Sequence, residues 1–166
     1  MLKDKDIREP LFEFLEEYYG KVRIIEEKQI GKSRADVMMV TPQHLYGIEI
    51  KSDADTYVRL ERQVKDYNRF FDYCIVAAGT SHAHHIQEKL PDWWGIITVE
   101  DGETPDFYML RQPQPNPKLE KKIKFRNQIS FLWRPELAHI QEINHLPNYA
   151  GKSKKDIVLM LMDRVE

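Results

Sequence analysis

One stretch of helical periodicity lies between two strand patterns, and this order constrains the fold more than any other feature of the sequence. The helical stretch covers residues 57–71, a strand pattern at 45–51 precedes it, and the apolar run 73–78 follows it. The apolar residues that recur along one side of the helix, at intervals of three and four, are Leu60, Val64, Tyr67 and Phe71. Because a helical crossover favours parallel pairing of the strands it joins, residues 45–51 and 73–78 are predicted to run parallel.

The other patterns extend this unit in both directions. The elements predicted before it are a helix over 6–19, with Asp6 able to cap its start, and strands at 22–27 and 35–40. The two early strands and 45–51 follow one another through short turns, which is typical of an antiparallel meander. The elements predicted after it are a helix over 81–90 and strands at 94–99 and 107–110. The predicted class is therefore α/β, with a mixed sheet flanked by helices.

The charge distribution divides the chain at a proline-rich stretch. The 166 residues carry 25 Lys+Arg against 27 Asp+Glu, and the net charge of −2 excludes a uniformly basic nucleic-acid coat. Residues 1–110 carry 14 basic and 21 acidic side chains (net −7), whereas 111–166 carry 11 and 6 (net +5). Prolines at 113, 115 and 117 indicate an extended linker. We expect a domain over 1–110, a linker over 111–117 and a small basic helical extension over 118–166.

The cysteine content and the apolar runs bear on the compartment. Cys74 is the only cysteine and lies in an apolar run, so it reads as a buried hydrophobe and forms no internal disulfide. No uncharged apolar run approaches the ~20 residues that a membrane span needs. We expect a soluble, cytoplasmic protein without a membrane partner.

Acidic and basic side chains meet on one face of the predicted meander. Side chains alternate along a strand, so Glu49 and Lys51 project to one face while Ile48 and Ile50 project to the other. The adjacent strand carries Asp36, which can lie within a few ångströms of Glu49. Two carboxylates beside a lysine suit hydrolysis of phosphodiester bonds with a hard cation, Mg²⁺ or Mn²⁺, because such ions prefer oxygen ligands and bridge to phosphate.

These residues resemble a known family. Asp36, then Glu49-Ile50-Lys51, then Gln63 and Tyr67 in the next helix, are similar in type, order and spacing to the PD-(D/E)XK nuclease superfamily. The Gln-x-x-x-Tyr element is typical of its RecB-like branch. A small, poorly characterised group of bacterial and phage proteins within that superfamily is resembled more closely, through Arg34-Ala35-Asp36, Gly47-Ile48-Glu49-Ile50-Lys51-Ser52-Asp53, Asp55-Thr56, Arg59-Leu60, Gln63 and Tyr67. Ala35 stands where the family usually has proline.

The resemblance implies a restriction-endonuclease-like core that binds one or two divalent cations. By this likeness Asp36 and Glu49 are metal ligands, and the Ile50 carbonyl adds a third. The family often adds an acidic residue from the first helix, for which Glu9 is the first choice and Asp6 the second.

The resemblance also implies an activity, hydrolysis of DNA by in-line attack of metal-activated water. Lys51 would act on the water or the transition state, and Gln63 and Tyr67 would position Lys51 or the substrate from within the catalytic site. The substrate is expected to be double-stranded or branched DNA, with RNA left open, and a homodimer is compatible with the family. The alternative is a catalytically inactive DNA-binding or protein-interaction module that retains the fold.

The basic extension is the second candidate for DNA contact. Helices are predicted over 119–133, 135–144 and 154–164, and the last two resemble SAP-type DNA-binding motifs. Ser153 with Asp156 forms a capping-box pattern at the start of the last helix. The candidate DNA-binding residues are Lys121, Lys122, Lys124, Arg126, Lys152, Ser153, Lys154 and Lys155. A small helical hairpin that only packs on the nuclease is the alternative.

Overall fold

The structure, a computed structural model, describes residues 1–132, 134–146 and 152–164. By its internal contacts the chain divides into two compact units, Met1–Lys118 and Leu119–Glu166. The first unit contains a single mixed sheet with its helices, and the second is helical.

The helices and strands of the first unit follow one another in the predicted order. Its elements are α1 (Asp4–Tyr19), β1 (Arg23–Ile30), β2 (Ser33–Val40), β3 (Leu45–Lys51), α2 (Leu60–Phe70), β4 (Tyr73–Gly79), α3 (Thr80–Gln87), β5 (Gly95–Glu100) and β6 (Asp106–Arg111). The six strands lie in the sheet in chain order. The pairs β1–β2, β2–β3 and β5–β6 are antiparallel, whereas β3–β4 and β4–β5 are parallel. The mixed α/β class is confirmed, and so is the parallel pairing across α2.

Alternation along β3 gives the sheet two different faces. Ile48 and Ile50 belong to the apolar core that also contains Ile7, Leu11 and Leu15 of α1. The intervening residues of β3 face α2, where Gly47 lies against the ring of Phe71. The apolar face anchors the sheet, and the opposite face is free to carry polar chemistry.

The start of α1 differs from the prediction. The helix begins at Asp4, two residues earlier than predicted, and Lys3 is its N-cap residue. Asp6 therefore lies inside the first turn, where its carboxylate accepts the Lys3 N–H at 3.0 Å. This contact is the reciprocal half of a capping box, so the prediction of Asp6 as the cap itself was wrong.

The proline-rich stretch after β6 is extended and lies along the first unit. Pro113 packs against Gly95. The Asn116 N–H donates to the Asp72 carbonyl at 2.9 Å, and the Asn116 amide donates to the Phe71 carbonyl at 2.8 Å. These contacts hold the stretch on the sheet domain as far as residue 116.

The second unit contains α4 (Lys121–Ile129), α5 (Arg134–Ile143) and α6 (Lys154–Arg164). Their shared core consists of Ile129, Leu137, Ile157, Val158 and Leu161. Trp133, at the end of the predicted helix 119–133, lies outside the described residues. Within the described part of the chain, no helix has both the length and the apolar character to cross a membrane.

A glycine in β3 tests the packing of the polar face. A Cβ atom on Gly47 would overlap the ring of Phe71, which is fully buried. We expect Gly47→Ala to lower the free energy of unfolding by ~1–3 kcal/mol, because the ring has no room to move aside. Urea denaturation measures the change.

Gly102 is the matched control, since a Cβ there meets nothing closer than the Thr104 carbonyl at 3.4 Å. Gly102→Ala should stay within ~0.5 kcal/mol of the wild type. Equal stability of the Gly47 and Gly102 variants would contradict the packing described here.

Candidate active site

Glu49 is the centre of a buried hydrogen-bond network. Its side chain is almost fully buried, with 4% of the residue exposed. Oε1 accepts from the Gln63 amide at 2.8 Å, and Oε2 accepts from the Tyr67 hydroxyl at 2.5 Å. The Lys51 ammonium donates to Gln63 Oε1 at 3.0 Å and lies 3.7 Å from Glu49 Oε1. Because Gln63 accepts from one partner and donates to the other, its amide orientation is fixed.

The positions of these residues follow from the two elements that carry them. Glu49 and Lys51 are two residues apart in β3 and therefore share a face. Gln63 and Tyr67 are four residues apart in α2 and share the helix side that packs on that face. The crossover from β3 through α2 to β4 brings the helix over the strand, and so it brings the pairs together.

Asp36 reaches the same place from β2. Val37 pairs with Ile48 in the antiparallel register, so the next positions on the two strands, Asp36 and Glu49, are neighbours. Asp36 Oδ2 accepts the Ile50 N–H at 2.8 Å, and the Asp36 N–H donates to the Tyr67 hydroxyl at 3.3 Å. Tyr67 thus connects the two carboxylate-bearing strands. The structure brings together the five residues predicted as catalytic.

Two close carboxyl groups in a buried place disfavour the doubly charged state. Burial and, to a smaller extent, the charge of Asp36 raise the pKa of Glu49 to about 8, although the Tyr67 hydrogen bond and the charge of Lys51 oppose the shift. Burial also raises the pKa of Asp36, against the lowering effects of the Ile50 N–H and the Arg8 charge. The pair therefore favours binding a proton or another cation.

The residue that α1 contributes is Arg8. Its guanidinium donates to the Asp36 carbonyl at 3.3 Å and lies 3.5 Å from Asp36 Oδ1. It also forms ion pairs with Asp4 at 2.6 Å and with Glu27 at 2.7 Å. The hydrogen bond with Asp4 is the main reason that the pKa of Arg8 is raised.

Neither acid predicted from the first helix lies at the pair. Glu9 is exposed, and the Asp6 carboxylate is used at the start of α1. The buried residues Ile7, Leu11 and Leu15 fix the helix register. Residue 8 then lies at the edge of the buried face and residue 9 lies beyond it, because successive residues turn by about 100°. The spacing of the apolar residues in the sequence is therefore sufficient to place residue 8, rather than residue 9, at the edge of the buried face.

The carboxylate pair suits a hard divalent cation. Asp36 and Glu49 supply oxygen donors, and the Ile50 carbonyl is the third oxygen donor named from the sequence. Among the described residues, no group of three or more His, Cys, Asp or Glu side chains is arranged to hold a metal ion. One or two carboxylates with water in the remaining positions is the usual protein environment of Mg²⁺. The residues present therefore fit the predicted Mg²⁺ or Mn²⁺.

Asp36, Glu49 and Gln63 open onto a polar cleft of about 400 Å³. The cleft wall includes residues from the β1–β2 hairpin and from the start of α2. The site residues predicted from the sequence lie on the floor of this cleft, whereas Arg34 and Arg59 on its wall were part of the family resemblance without a predicted role.

The second unit carries the residues predicted to bind DNA. Lys121, Lys122 and Arg126 are exposed on α4, and Lys124 is partly buried. Of the predicted residues before and within α6, the exposed ones are Lys152, Ser153 and Lys155.

Ser153 and Lys154 also have structural contacts inside the second unit. The Ser153 hydroxyl accepts the Asp156 N–H at 3.2 Å and so caps α6. Lys154 donates to the Ser130 carbonyl at 2.7 Å, just after the end of α4. Gly151, which precedes this cluster, lies outside the described residues.

Comparisons with known proteins give a family and a fold. The family model described as bacteriophage P4 protein cII matches residues 1–165, so the chain belongs to that family. No curated protein matches the sequence. A protein of unknown function from Silicibacter pomeroyi has a similar structure, with a TM-score of 0.55 and 19% identity over 86% of this chain and 92% of that chain. SfsA from Pyrococcus furiosus, solved in complex with Ca²⁺, gives a TM-score of 0.38 and 16% identity over 67% of this chain and 60% of that chain.

The raised pKa of Glu49 predicts a pH dependence of stability. The pKa of Glu49 is about 8 in the folded chain, whereas an unfolded chain releases this proton near the ordinary glutamate pKa of 4.5. Between these values the folded state binds more protons, so its stability falls as the pH rises. The Gln side chain of the Glu49→Gln variant does not titrate, so the variant lacks this loss of stability with rising pH. We expect its free energy of unfolding, relative to wild type, to increase by at least ~1 kcal/mol from about pH 5 to about pH 8, measured by urea denaturation in EDTA.

Glu61→Gln is the control, because Glu61 is on the same helix and its side chain is exposed. Its stability relative to wild type should not change over this pH range. A Glu49→Gln difference that is also independent of pH would show that Glu49 titrates normally.

Proposed function

We propose that this member of the bacteriophage P4 protein cII family is a divalent-metal-dependent deoxyribonuclease with a PD-(D/E)XK core. The observation that supports it is the continuous network from Asp36 through Tyr67, Glu49 and Gln63 to Lys51. Each residue of the motif thereby contacts the next. The activity proposed is hydrolysis of a DNA phosphodiester bond by in-line attack of water on phosphorus.

Asp36, Glu49 and the Ile50 carbonyl would hold Mg²⁺ or Mn²⁺. When bound, the cation supplies a water of lowered pKa and offsets negative charge on the phosphate. The two carboxylates need only small adjustments to act together, because they already lie on neighbouring strands at one position of the register.

Lys51 is the cationic catalytic residue of the proposal. It is 4% exposed, so its charge acts with little screening by water. The Gln63 hydrogen bond holds the ammonium 3.7 Å from Glu49, where it would orient the attacking water or stabilise charge that develops on the phosphate. The reaction breaks one P–O bond and leaves a phosphate and a hydroxyl terminus.

The exposed lysines of the second unit would add affinity for the DNA backbone. Lys121 and Lys122 lie at the start of α4, where the unsatisfied backbone N–H groups also attract phosphate. A positively charged unit complements a nuclease core whose sequence is acidic overall. Its contribution should be independent of DNA sequence, because phosphate contacts carry no base information.

One observation favours a second function, DNA binding without cleavage. The Arg8 guanidinium already interacts with Asp36 at 3.5 Å and with Glu27 at 2.7 Å. An internal cation at the carboxylate pair competes with a metal ion for the same negative charge. The cleavage assay below separates the two functions.

Substitutions in the network test the nuclease proposal. Supercoiled and linear DNA are incubated with Mg²⁺ or Mn²⁺ and the wild type, Lys51→Ala or Asp36→Ala. We expect each substitution to lower the cleavage rate by ~10²–10³-fold, as is usual when a charge-stabilising group is removed. Thermal unfolding of each variant checks that the fold is retained.

Lys65→Ala is the control for general loss of charge, since Lys65 is an exposed residue of α2 whose partner is Glu61. It should cleave like the wild type. Equal cleavage by all variants, or none by the wild type with either metal, would refute the nuclease and leave the binding function.

The double variant Lys121→Ala/Lys122→Ala tests the second unit. Each lost phosphate contact should reduce the slope of log affinity against log salt by ~0.9 for duplex DNA. Fluorescence anisotropy with a labelled duplex in EDTA measures both the affinity and the slope. Arg164→Ala, which removes an exposed charge at the end of α6, should leave both unchanged. An unchanged slope in the double variant would exclude α4 from the DNA interface.

A further inference from the structure

The cleft beside the carboxylate pair has a cationic wall. The basic residues that line it are Lys32, Arg34, Arg59 and Arg62, and the acidic residues on its floor are Asp36 and Glu49. The four basic residues are exposed at the mouth, whereas Glu49 is buried beneath them. An anion that enters this cleft therefore meets the cations before it reaches the floor.

The positions of these cations are set by the elements that carry the site itself. Arg34 precedes Asp36 by two residues in β2, so the two side chains project to the same face. Arg59 is the N-cap residue of α2 and Arg62 lies in its first turn, directly before Gln63. The cationic wall is thus held on a strand and a helix whose relative position is fixed by the Glu49 network.

Among the described residues, the cations of the wall have no counter-ions. In the part of the chain that the structure describes, no carboxylate lies within ion-pair distance of Lys32, Arg34, Arg59 or Arg62. The contrast with Arg8 is clear, because Arg8 forms ion pairs with Asp4, Glu27 and Asp36.

Arg8 also reduces the negative charge that the acidic residues contribute to the cleft. Its ion pairs offset the charges of Glu27 and Asp36, which are two of the three acids that line the cleft. Four like charges around one opening repel one another, and a bound anion relieves that repulsion. The cleft therefore presents an unsatisfied positive charge to solvent.

We propose that this wall binds the phosphate backbone of one DNA strand next to the bond that is cut. The inference rests on the proposed nuclease function and adds a substrate-positioning site within the core. Guanidinium groups are suited to this role because their planar donor pairs match the oxygens of a phosphate. A cleft of about 400 Å³ has the volume of a small-ligand site, which is enough for a phosphate group of one strand.

The binding test uses the full-length protein in EDTA, so that no cleavage occurs, and a fluorescein-labelled single-stranded deoxyoligonucleotide. The variants are Arg59→Gln/Arg62→Gln and, separately, Arg34→Gln. We expect the double variant to bind about tenfold more weakly and its salt slope to decrease by ~1.4, since each phosphate contact to a single strand contributes ~0.7. Arg34→Gln should reduce the slope by about half as much.

Lys65→Gln is the matched control, because it removes a positive charge from the same helix outside the cleft. It should keep the wild-type affinity and slope. Wild-type binding by Arg59→Gln/Arg62→Gln and by Arg34→Gln would overturn the proposal. An RNA strand of the same sequence that binds much more tightly than the DNA would overturn its assignment to DNA.

A cleavage assay in Mg²⁺ separates this inference from the nuclease function. If the wild type cleaves, the variants of the wall should raise KM and leave kcat largely unchanged, which distinguishes positioning from catalysis. A cleaving wild type with unaltered KM in the variants refutes the phosphate site and leaves the nuclease intact. A wild type that does not cleave, with variants that bind more weakly, refutes the nuclease and supports the phosphate site.

Discussion

The burial of Glu49 is the constraint on which the rest of the site depends. A carboxyl group that is 4% exposed is strongly destabilised unless its oxygens are hydrogen-bonded. Gln63 and Tyr67 provide those bonds, and both come from α2. The helix must therefore lie over β3 in one register, since a rotation would leave the carboxyl without partners. The same register places Gln63 beside Lys51, so one buried group determines the position of the lysine as well.

Because Asp36 and Glu49 lie close together and are shielded from water, the pair favours the binding of positive charge. Burial raises the pKa of both groups, and the charge of Asp36 raises the pKa of Glu49 as well. Three kinds of cation can neutralise this negative charge: a proton on Glu49, the guanidinium of Arg8, and a divalent metal ion. The guanidinium of Arg8 lies at Asp36 in this structure. The proton follows from the raised pKa of Glu49. A metal ion would displace the proton, because Glu49 must be ionised to act as a ligand, and this makes metal binding more favourable as the pH rises.

Local periodicity accounts for what could be predicted from the sequence. The meander, the crossover and the shared face of Glu49 and Lys51 follow from spacings that backbone geometry fixes. The family resemblance, and not periodicity, was the basis for expecting Gln63 and Tyr67 at the same site. The start of α1 at Asp4 was missed because Asp6 resembles a cap when only the residues around it are considered.

The errors and omissions have two different origins. Arg8 was overlooked because the search for an acid in the first helix disregarded the register set by Ile7 and Leu11. The cationic wall was not predicted because Arg34 and Arg59 are far apart in sequence and exposed, so neither leaves a periodic pattern. Their proximity is a consequence of tertiary packing, which residue spacing alone does not encode.

The cleft also changes what the charge of the chain implies. Residues 1–110 carry a net charge of −7, which suggests a surface that repels DNA and assigns all phosphate affinity to the basic extension. The field at a site depends on the charges close to it, because salt screens interactions beyond about 10 Å. Around the cleft, Arg8 offsets two acids, and four cations have no counter-ion within the part of the chain that the structure describes. An acidic domain can therefore present a locally positive opening directly above its own carboxylates, and that is the arrangement a phosphodiester needs in order to approach them.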